Sequence, residues 1–244
     1  MTNLLFPTDF SMNTSAPLAW ARLFAFKTGA TITLLHVYQP MLPDTTLPTA
    51  TDPGLGMTAS LELEDISRRH LTDLADQLHQ EGLSVRADWR IGSVEDEIIQ
   101  AAQDHSADLI VMGRSALNTF FDRLAGSSVT DVASAATCPV LVVPTPDDDA
   151  TQAVLPVRVH TIGYAMQPKT NLSDVSIQTD SLVEAFGATL QVLTEDQLDH
   201  HTADLLVMEL YPQGGFLDKL IHPNRTAALV EKSTVPVLVY HQPK

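Results

Sequence analysis

The sequence predicts an α/β fold, with a doubly wound parallel five-stranded sheet followed by a smaller degenerate repeat of the same fold. Two observations predict it. Short apolar segments alternate with amphipathic helical segments over residues 1–144, and such alternation with short connections is typical of a parallel sheet covered by helices on both faces. Three blocks of this half then recur in the same order towards the carboxyl terminus, which indicates an internal repeat.

Five segments of the first half are predicted to be strands from their place in the alternation; 3–7 is a short apolar run, and 31–37 is rich in β-branched residues. They are 3–7, 31–37, 84–90, 109–112 and 140–143. Apolar residues at helical spacing predict helices between them, including one over about 60–81 and one over 127–136. His70 lies at apolar-face spacing in the first of these helices, so we expect it to be partly buried. Residues 38–59 contain six prolines or glycines and are predicted to be a long loop.

The repeat defines the domain organisation. The matched blocks are 107–112 with 203–208, 120–124 with 216–220, and 138–142 with 235–239. We therefore predict a full domain over 1–144, a Pro- and Asp-rich linker over 145–154, and a truncated copy over 155–244. The truncated copy passes from a strand at 189–193 almost directly to Ala203. It has no room for counterparts of the helix over about 60–81, of the strand 84–90 and of the helix that follows that strand.

The predicted sheet also predicts where a ligand would bind. Ligands of open parallel sheets bind at the carboxyl ends of strands, where the strand order reverses. That rule points to Pro7–Asp9, to Val37 and to Met112–Gly113.

The residues after the fourth strand form a motif. The chain continues Gly113-Arg114-Ser115-Ala116, then nine residues, then Gly126-Ser127. This resembles the nucleotide-binding signature of universal stress proteins, which is Gly, two residues, Gly, nine residues, Gly-Ser/Thr. The segments 4–11, 34–37 and 138–144 are similar to the family's first, second and last strands. The resemblance is continuous over 1–144 and weaker beyond.

The resemblance implies a site for ATP or another adenine nucleotide, with Mg²⁺ if the ligand is a triphosphate. Glycines let the backbone approach a phosphate, and a helix start adds amide donors. By residue-wise transfer, the implied nucleotide-binding residues are Pro7, Thr8, Asp9, Val37, Met112, Gly113, Ala116, Gly126, Ser127, Ser128 and Val129.

One position departs from the family signature. Ala116 stands where the family has its second glycine. If that position requires a positive φ, alanine there costs about 1 kcal/mol, and its methyl group crowds a phosphate.

The second half lacks these features. Glu209 replaces the glycine after the fourth strand, and His222-Pro223-Asn224 replaces Gly126-Ser127-Ser128. An acidic side chain repels phosphate, and proline removes an amide donor. We therefore predict at most one nucleotide per chain.

Composition excludes several classes of partner and chemistry. The chain has 14 Lys and Arg against 30 Asp and Glu, a net charge of −16, which disfavours nucleic acid and anionic membranes. We find no apolar run long enough to cross a bilayer and no basic leader, so we expect a cytoplasmic protein. The single cysteine, Cys138, is expected to be a small core residue. His200-His201 shows no metal-ligand spacing, so we predict neither a metal site nor catalytic residues.

Three functions remain open at this stage. The first is a stress-response or regulatory protein that binds an adenine nucleotide. The second is a protein-interaction module of the same fold without nucleotide, acting on an unknown protein partner. The third, a slow ATPase, has the least support. The resemblance implies that domains pair through their last strands, so we expect an internal pseudo-dimer with Val140–Val143 facing Val237–Tyr240. A homodimer remains open.

Overall fold

A computed structural model describes residues 1–11, 14–39, 53–113, 132, 135–144, 157–166, 170, 172–210 and 233–241. In chain order the elements are β1 (Asn3–Pro7), α1 (Ser15–Thr28), β2 (Thr31–Tyr38), α2 (Pro53–Gln80), β3 (Val85–Ile91), α3 (Val94–Asp104), β4 (Leu109–Gly113), β5 (Val140–Val143), β6 (Thr161–Ala165), α4 (Leu172–Phe186), β7 (Thr189–Leu193), a 3-10 turn (Glu195–Gln197), β8 (Leu205–Leu210) and β9 (Val237–His241). The predicted linker and most of the predicted helix 127–136 lie outside these residues.

The strands form one sheet, in the order β3-β2-β1-β4-β5-β9-β8-β6-β7. Neighbouring strands are parallel within each half, and the contact between β5 and β9 is antiparallel. The second half repeats the strand order of the first without a counterpart of β3. The predicted fold class, a five-stranded parallel sheet with a smaller degenerate copy, is confirmed.

The start of α2 differs from the prediction. Residues 53–59, expected to be loop, form the first turns of α2, which begins at Pro53. Proline is compatible with a first helical turn, because its missing amide proton has no helical partner there. The prediction weighted prolines and glycines as loop residues without allowing for this position. Residues 40–52 lie outside the described part of the chain.

The length of α2 explains a second difference. Its 28 residues span about 42 Å, whereas the eight residues of β2 span about 26 Å. The helix therefore extends beyond the carboxyl edge of the sheet. Leu63 and Ile66 are exposed there, and so is His70, which we expected to be partly buried.

Helices cover both faces of the sheet. The first face is covered by α1, α2 and α4, and the second is covered by α3 together with the described residues of 132–136. On the first face, α1 and α4 meet where the two halves join. The ring of Phe24 packs edge-on against that of Phe186, with their centroids 5.0 Å apart.

The two halves are joined by β5 and β9. Val140 pairs with Val239, Leu141 with Leu238 and Val142 with Val237, and all six side chains are buried. This register confirms the predicted pairing of these two segments. Each half therefore closes the open edge of the other.

An aspartate before β4 in the first half, and one before the matching strand β8 in the second, make the same contacts. The carboxylate of Asp108 accepts hydrogen bonds from the backbone amides of Thr2 and Asn3. At the matching position, Asp204 accepts from the amides of His160 and Thr161, at 2.8 and 2.9 Å. Asp108 thus ties the start of β1 to the start of β4, and Asp204 ties the start of β6 to the start of β8. Burial acts to raise the pKa of Asp108, but these hydrogen bonds outweigh it and leave that pKa below its ordinary value.

We expect Asp108→Asn to lower the free energy of unfolding by about 1 kcal/mol at pH 7, because charge-assisted hydrogen bonds are weakened. A carboxyl with a depressed pKa stabilises the fold above its unfolded-state pKa of about 3.9 and loses that contribution as pH falls through the folded-state value. The difference between wild type and variant should therefore be smaller at pH 3. Urea unfolding at both pH values measures it. Asp73→Asn, on the exposed face of α2, is the control, and an equal loss in both variants would contradict the assignment.

Candidate functional site

The turn between β1 and α1 is held by its own side chains. The amide of Thr8 donates to the carbonyl of Leu35 at 2.8 Å and so extends the β1–β2 ladder by one residue. The hydroxyl oxygen of Thr8 accepts the amide of Phe10 at 3.1 Å, and Oδ1 of Asp9 accepts the amide of Ser11 at 3.0 Å. The carboxylate of Asp9 is thereby fixed at the carboxyl edge of the sheet.

The strand order places this turn at the reversal point of the first half. β1 lies between β2 and β4, so the strand order reverses between the carboxyl ends of β1 and β4, which is where open parallel sheets bind ligands. Pro7 is paired with Leu35, and the β1–β4 register places it level with Met112. The structure therefore brings six predicted residues to one edge of the sheet: Pro7, Thr8, Asp9, Val37, Met112 and Gly113. The other five, Ala116, Gly126, Ser127, Ser128 and Val129, lie outside the described residues.

The edge offers two kinds of surface. Thr8, Val37 and Met112 are at most 7% exposed, and the latter two belong to the apolar core of the second face. Asp9 and Phe10 are half-buried beside them. A carboxylate next to an apolar wall can accept hydrogen bonds from a ligand whose ring packs on that wall.

Two histidines lie behind the Asp9 turn. Nδ1 of His36 lies 2.9 Å from the carbonyl oxygen of Thr8, so this ring nitrogen donates. The ring of Phe10 lies 4.6 Å from the His36 ring and 5.6 Å from the His70 ring. Burial lowers the pKa of His36 and outweighs the Thr8 hydrogen bond and the Asp9 charge, which raise it; His70 lowers it further.

Sequence reasoning missed this group. His36 figured only as part of a strand similar to the family's, and Phe10 only as a turn residue. Phe10 has a φ of 60°, a left-handed conformation that nothing in its residue type predicts. The one usable signal was a histidine inside an otherwise apolar strand, because a buried histidine needs a hydrogen-bond partner.

The matching edge of the second half has different chemistry. Glu209 stands 96 residues after Gly113 and is 3% exposed. Its Oε1 accepts a 2.6 Å hydrogen bond from Nε2 of Gln178, whose Oε1 accepts the hydroxyl of Tyr164 at 3.1 Å. The hydroxyl of Tyr240 donates to the backbone carbonyl of Gln178 at 3.0 Å. A hydrogen-bonded side-chain network therefore occupies this part of the second half.

Other candidate chemistry is absent from the part of the chain that the structure describes. No group of three His, Cys, Asp or Glu residues could hold a metal ion there. Nor does that part contain a helix long and apolar enough to cross a membrane.

Cys138 is buried, as expected, and burial raises the pKa of its thiol to about 11. At neutral pH it is therefore a protonated core residue.

Tyr240 makes the network sensitive to alkali. Burial raises the pKa of Tyr240 to about 12, so the folded state keeps this proton when the unfolded state has lost it. The stabilisation of the fold by the protonated Tyr240 hydroxyl is complete below pH 10 and is lost as the pH rises towards 12. Between these values we expect wild type to lose about 1–2 kcal/mol more unfolding free energy than Tyr240→Phe. Denaturant unfolding across this range tests it, with Tyr38→Phe as the control. Parallel pH profiles for all three proteins would contradict the prediction.

Comparisons with known proteins bear on the family of the chain. The family model described as the universal stress protein family matches residues 1–144. A universal stress protein of Mycolicibacterium smegmatis is 29% identical over 160 residues, which cover 63% of this chain and 52% of that protein. One of Methanocaldococcus jannaschii is 27% identical over 152 residues, covering 57% of this chain and 93% of that one.

A solved structure matches the whole chain. The crystal structure of a universal stress protein from Archaeoglobus fulgidus superposes with a TM-score of 0.60 at 16% identity, covering 99% of this chain and 97% of that one. At this identity the match concerns the fold alone. The match to the mycobacterial relative spans only about half of that relative's length. Because the family model covers more than half of the chain, the chain belongs to the universal stress protein family.

Proposed function

We propose that residues 1–144 bind one adenine nucleotide and that the chain acts as a stress-response regulatory protein whose state depends on that nucleotide. The observation that supports this most is the position of Asp9. Its carboxylate is fixed at the reversal point of the sheet by the Ser11 amide, and only one of its oxygens is used in that bond.

The residues at this edge fit a nucleoside. The carboxylate of Asp9 can accept hydrogen bonds from ribose hydroxyls or from the adenine amino group. Val37 and Met112 provide an apolar wall for the base. Amides near Gly113, and those of Gly126-Ser127 if they begin the predicted helix 127–136, would donate to phosphate oxygens. If the ligand is ATP, Mg²⁺ bound with it would offset charge on the phosphates.

A protein-interaction module without nucleotide is the second candidate. Ala116 favours it, because a methyl group replaces hydrogen at a position where the family signature has glycine. The outer strand β7 favours it too. Its five residues, TLQVL, carry no charge, and an uncharged outer strand can pair with another chain. A slow ATPase has less support than either of these two functions.

The proposed site predicts ligand-dependent stability. We expect millimolar Mg-ATP to raise the thermal midpoint of wild type, because a ligand at a hundredfold excess over Kd stabilises a fold by about 2.7 kcal/mol. Asp9→Asn should reduce the shift by removing the charged acceptor, and Gly126→Asp should abolish it by repelling phosphate. Asp73→Asn, outside the site, should keep it. A full shift in Gly126→Asp would contradict the site, and no shift in any variant would favour the interaction module.

We further propose that the second half binds no nucleotide, since Glu209 places a carboxyl where Gly113 stands in the first half. Calorimetric titration of the whole chain with ATP should therefore saturate at one nucleotide. Asp9→Asn should weaken that event, whereas Tyr240→Phe, within the network of the second half, should leave it unchanged. Saturation at two equivalent nucleotides would contradict the proposal.

The assembly and the compartment remain proposals as well. We propose that the domains span 1–144 and 155–244 and form an internal pseudo-dimer, supported by the β5–β9 pairing and the α1–α4 contact. We also propose a cytoplasmic protein, with a homodimer left open.

A further inference from the structure

The side chains behind Asp9 form a stack. The ring of Phe10 lies between His36, at 4.6 Å and tilted by 31°, and His70, at 5.6 Å and edge-on at 74°. His36 is 9% exposed. Its Nδ1 donates to the carbonyl of Thr8, which is the residue immediately before Asp9. The His36 ring therefore contacts the residues on both sides of Asp9, namely Thr8 and Phe10.

The turn needs such support. Phe10 has a φ of 60°, and a bulky residue in the left-handed region is strained unless its surroundings hold it there. Its amide is bonded to the Thr8 hydroxyl, and its ring is held by the stack. The His70 ring still contacts Phe10 when the His36 ring is replaced. If the hydrogen bond from His36 to the Thr8 carbonyl is lost as well, Phe10 would relax to a negative φ, and the direction of the Asp9 carboxylate would change with it.

We propose that His36 is a positioning residue for Asp9, and that charging its ring weakens nucleotide binding. The inference rests on the proposed function, because it concerns the same site. His36 touches no ligand atom in this assignment. It acts through Thr8 and Phe10, which fix the turn, and through its charge, which acts on Asp9.

The charge acts by competition. Neutral His36 uses Nδ1 for Thr8, and Asp9 keeps an oxygen for the ligand. When Nε2 gains a proton, a cation forms in a site with little access to water, and it draws the nearest anion. That anion is Asp9, whose charge acts on His36. A carboxylate drawn to the imidazolium accepts less well from the nucleoside.

The other titratable and charged groups around His36 do not replace Asp9. From α2, His70 opposes a positive charge on His36. Also from α2, Arg68 lies 3.4 Å over the ring of Trp89, the β3 neighbour of His36. From α1, Arg22 is paired with Glu81 at 2.8 Å. Asp88 and Arg90 of β3 are paired with each other at 2.8 Å.

Three variants separate the two roles. His36→Asn places an amide nitrogen near the position of Nδ1, so it keeps the donor to Thr8 and removes the titration. His36→Leu removes both. His79→Asn is the matched control, because Nδ1 of His79 also lies 3.1 Å from a backbone carbonyl, that of Leu83, at the other end of α2. Affinity for Mg-ATP is measured by calorimetry at pH 7.5 and 5.5, with thermal midpoints recorded for each protein.

We expect the Kd of wild type to rise more than that of His36→Asn between pH 7.5 and 5.5, by a factor below about ten, which is the limit for an imidazole with an unshifted pKa of about 6.5. The titration of the ligand itself is common to both proteins and cancels in this ratio. His79→Asn should follow wild type. His36→Leu should bind at least tenfold more weakly at both pH values while His36→Asn stays within about threefold of wild type at pH 7.5.

If wild type binds nucleotide but the ratio of its Kd to that of His36→Asn stays constant or falls between pH 7.5 and 5.5, the charge role is overturned. The proposed function would then still stand. Wild-type affinity in a folded His36→Leu would overturn the positioning role. If His36→Leu does not fold, weak binding by His36→Asn at pH 7.5 would overturn that role instead. Absence of binding to wild type at pH 7.5 would contradict the proposed function, and this inference with it.

Discussion

The antiparallel contact between β5 and β9 is the constraint on which the rest of the structure depends. The paired residues of both strands, 140–142 of β5 and 237–239 of β9, are apolar and buried, so neither strand could remain at an open edge in water. Their pairing joins two parallel half-sheets into one nine-stranded sheet. It also brings α1 beside α4, where Phe24 and Phe186 meet. The first half thus covers the β9 edge of the truncated half.

The joined sheet leaves two outer strands with different chemistry. On β3, Arg90 is paired with Asp88 and with Asp104 of α3, each at 2.8 Å, so this edge carries fixed charge. On β7, the deletion has removed the neighbour that β3 provides in the first half. Val192 is 42% exposed there, whereas the matching residue of β2, Leu34, is fully buried. Charge disfavours pairing with another chain, so β7 is the more accessible edge.

Much of the fold was predictable because it depends on local pattern. The alternating pattern located the five strands of the first half, and the repeated blocks located β8 and β9. The pairing of β5 with β9 was implied by the family resemblance. The start of α2 was not predictable from composition, because Pro53 has the same residue type in a loop and in a first helical turn. The site was predictable only in position. The rule for strand ends found Asp9 and Gly113, but the contacts of Phe10 with His36 and His70 depend on a left-handed turn and on the reach of a long helix.

The two halves show which residues folding requires and which a ligand would require. Asp108 and Asp204 make the same amide contacts, and Gly29 and Gly187 both end a helix with a positive φ, at 71° and 63°. These shared features hold the backbone. The halves differ at the carboxyl edge, where the first has Gly113 and the second has Glu209 in a hydrogen-bonded network. A buried network of this kind is stable only when its members are satisfied, so Glu209 contributes to the packing of the second half itself.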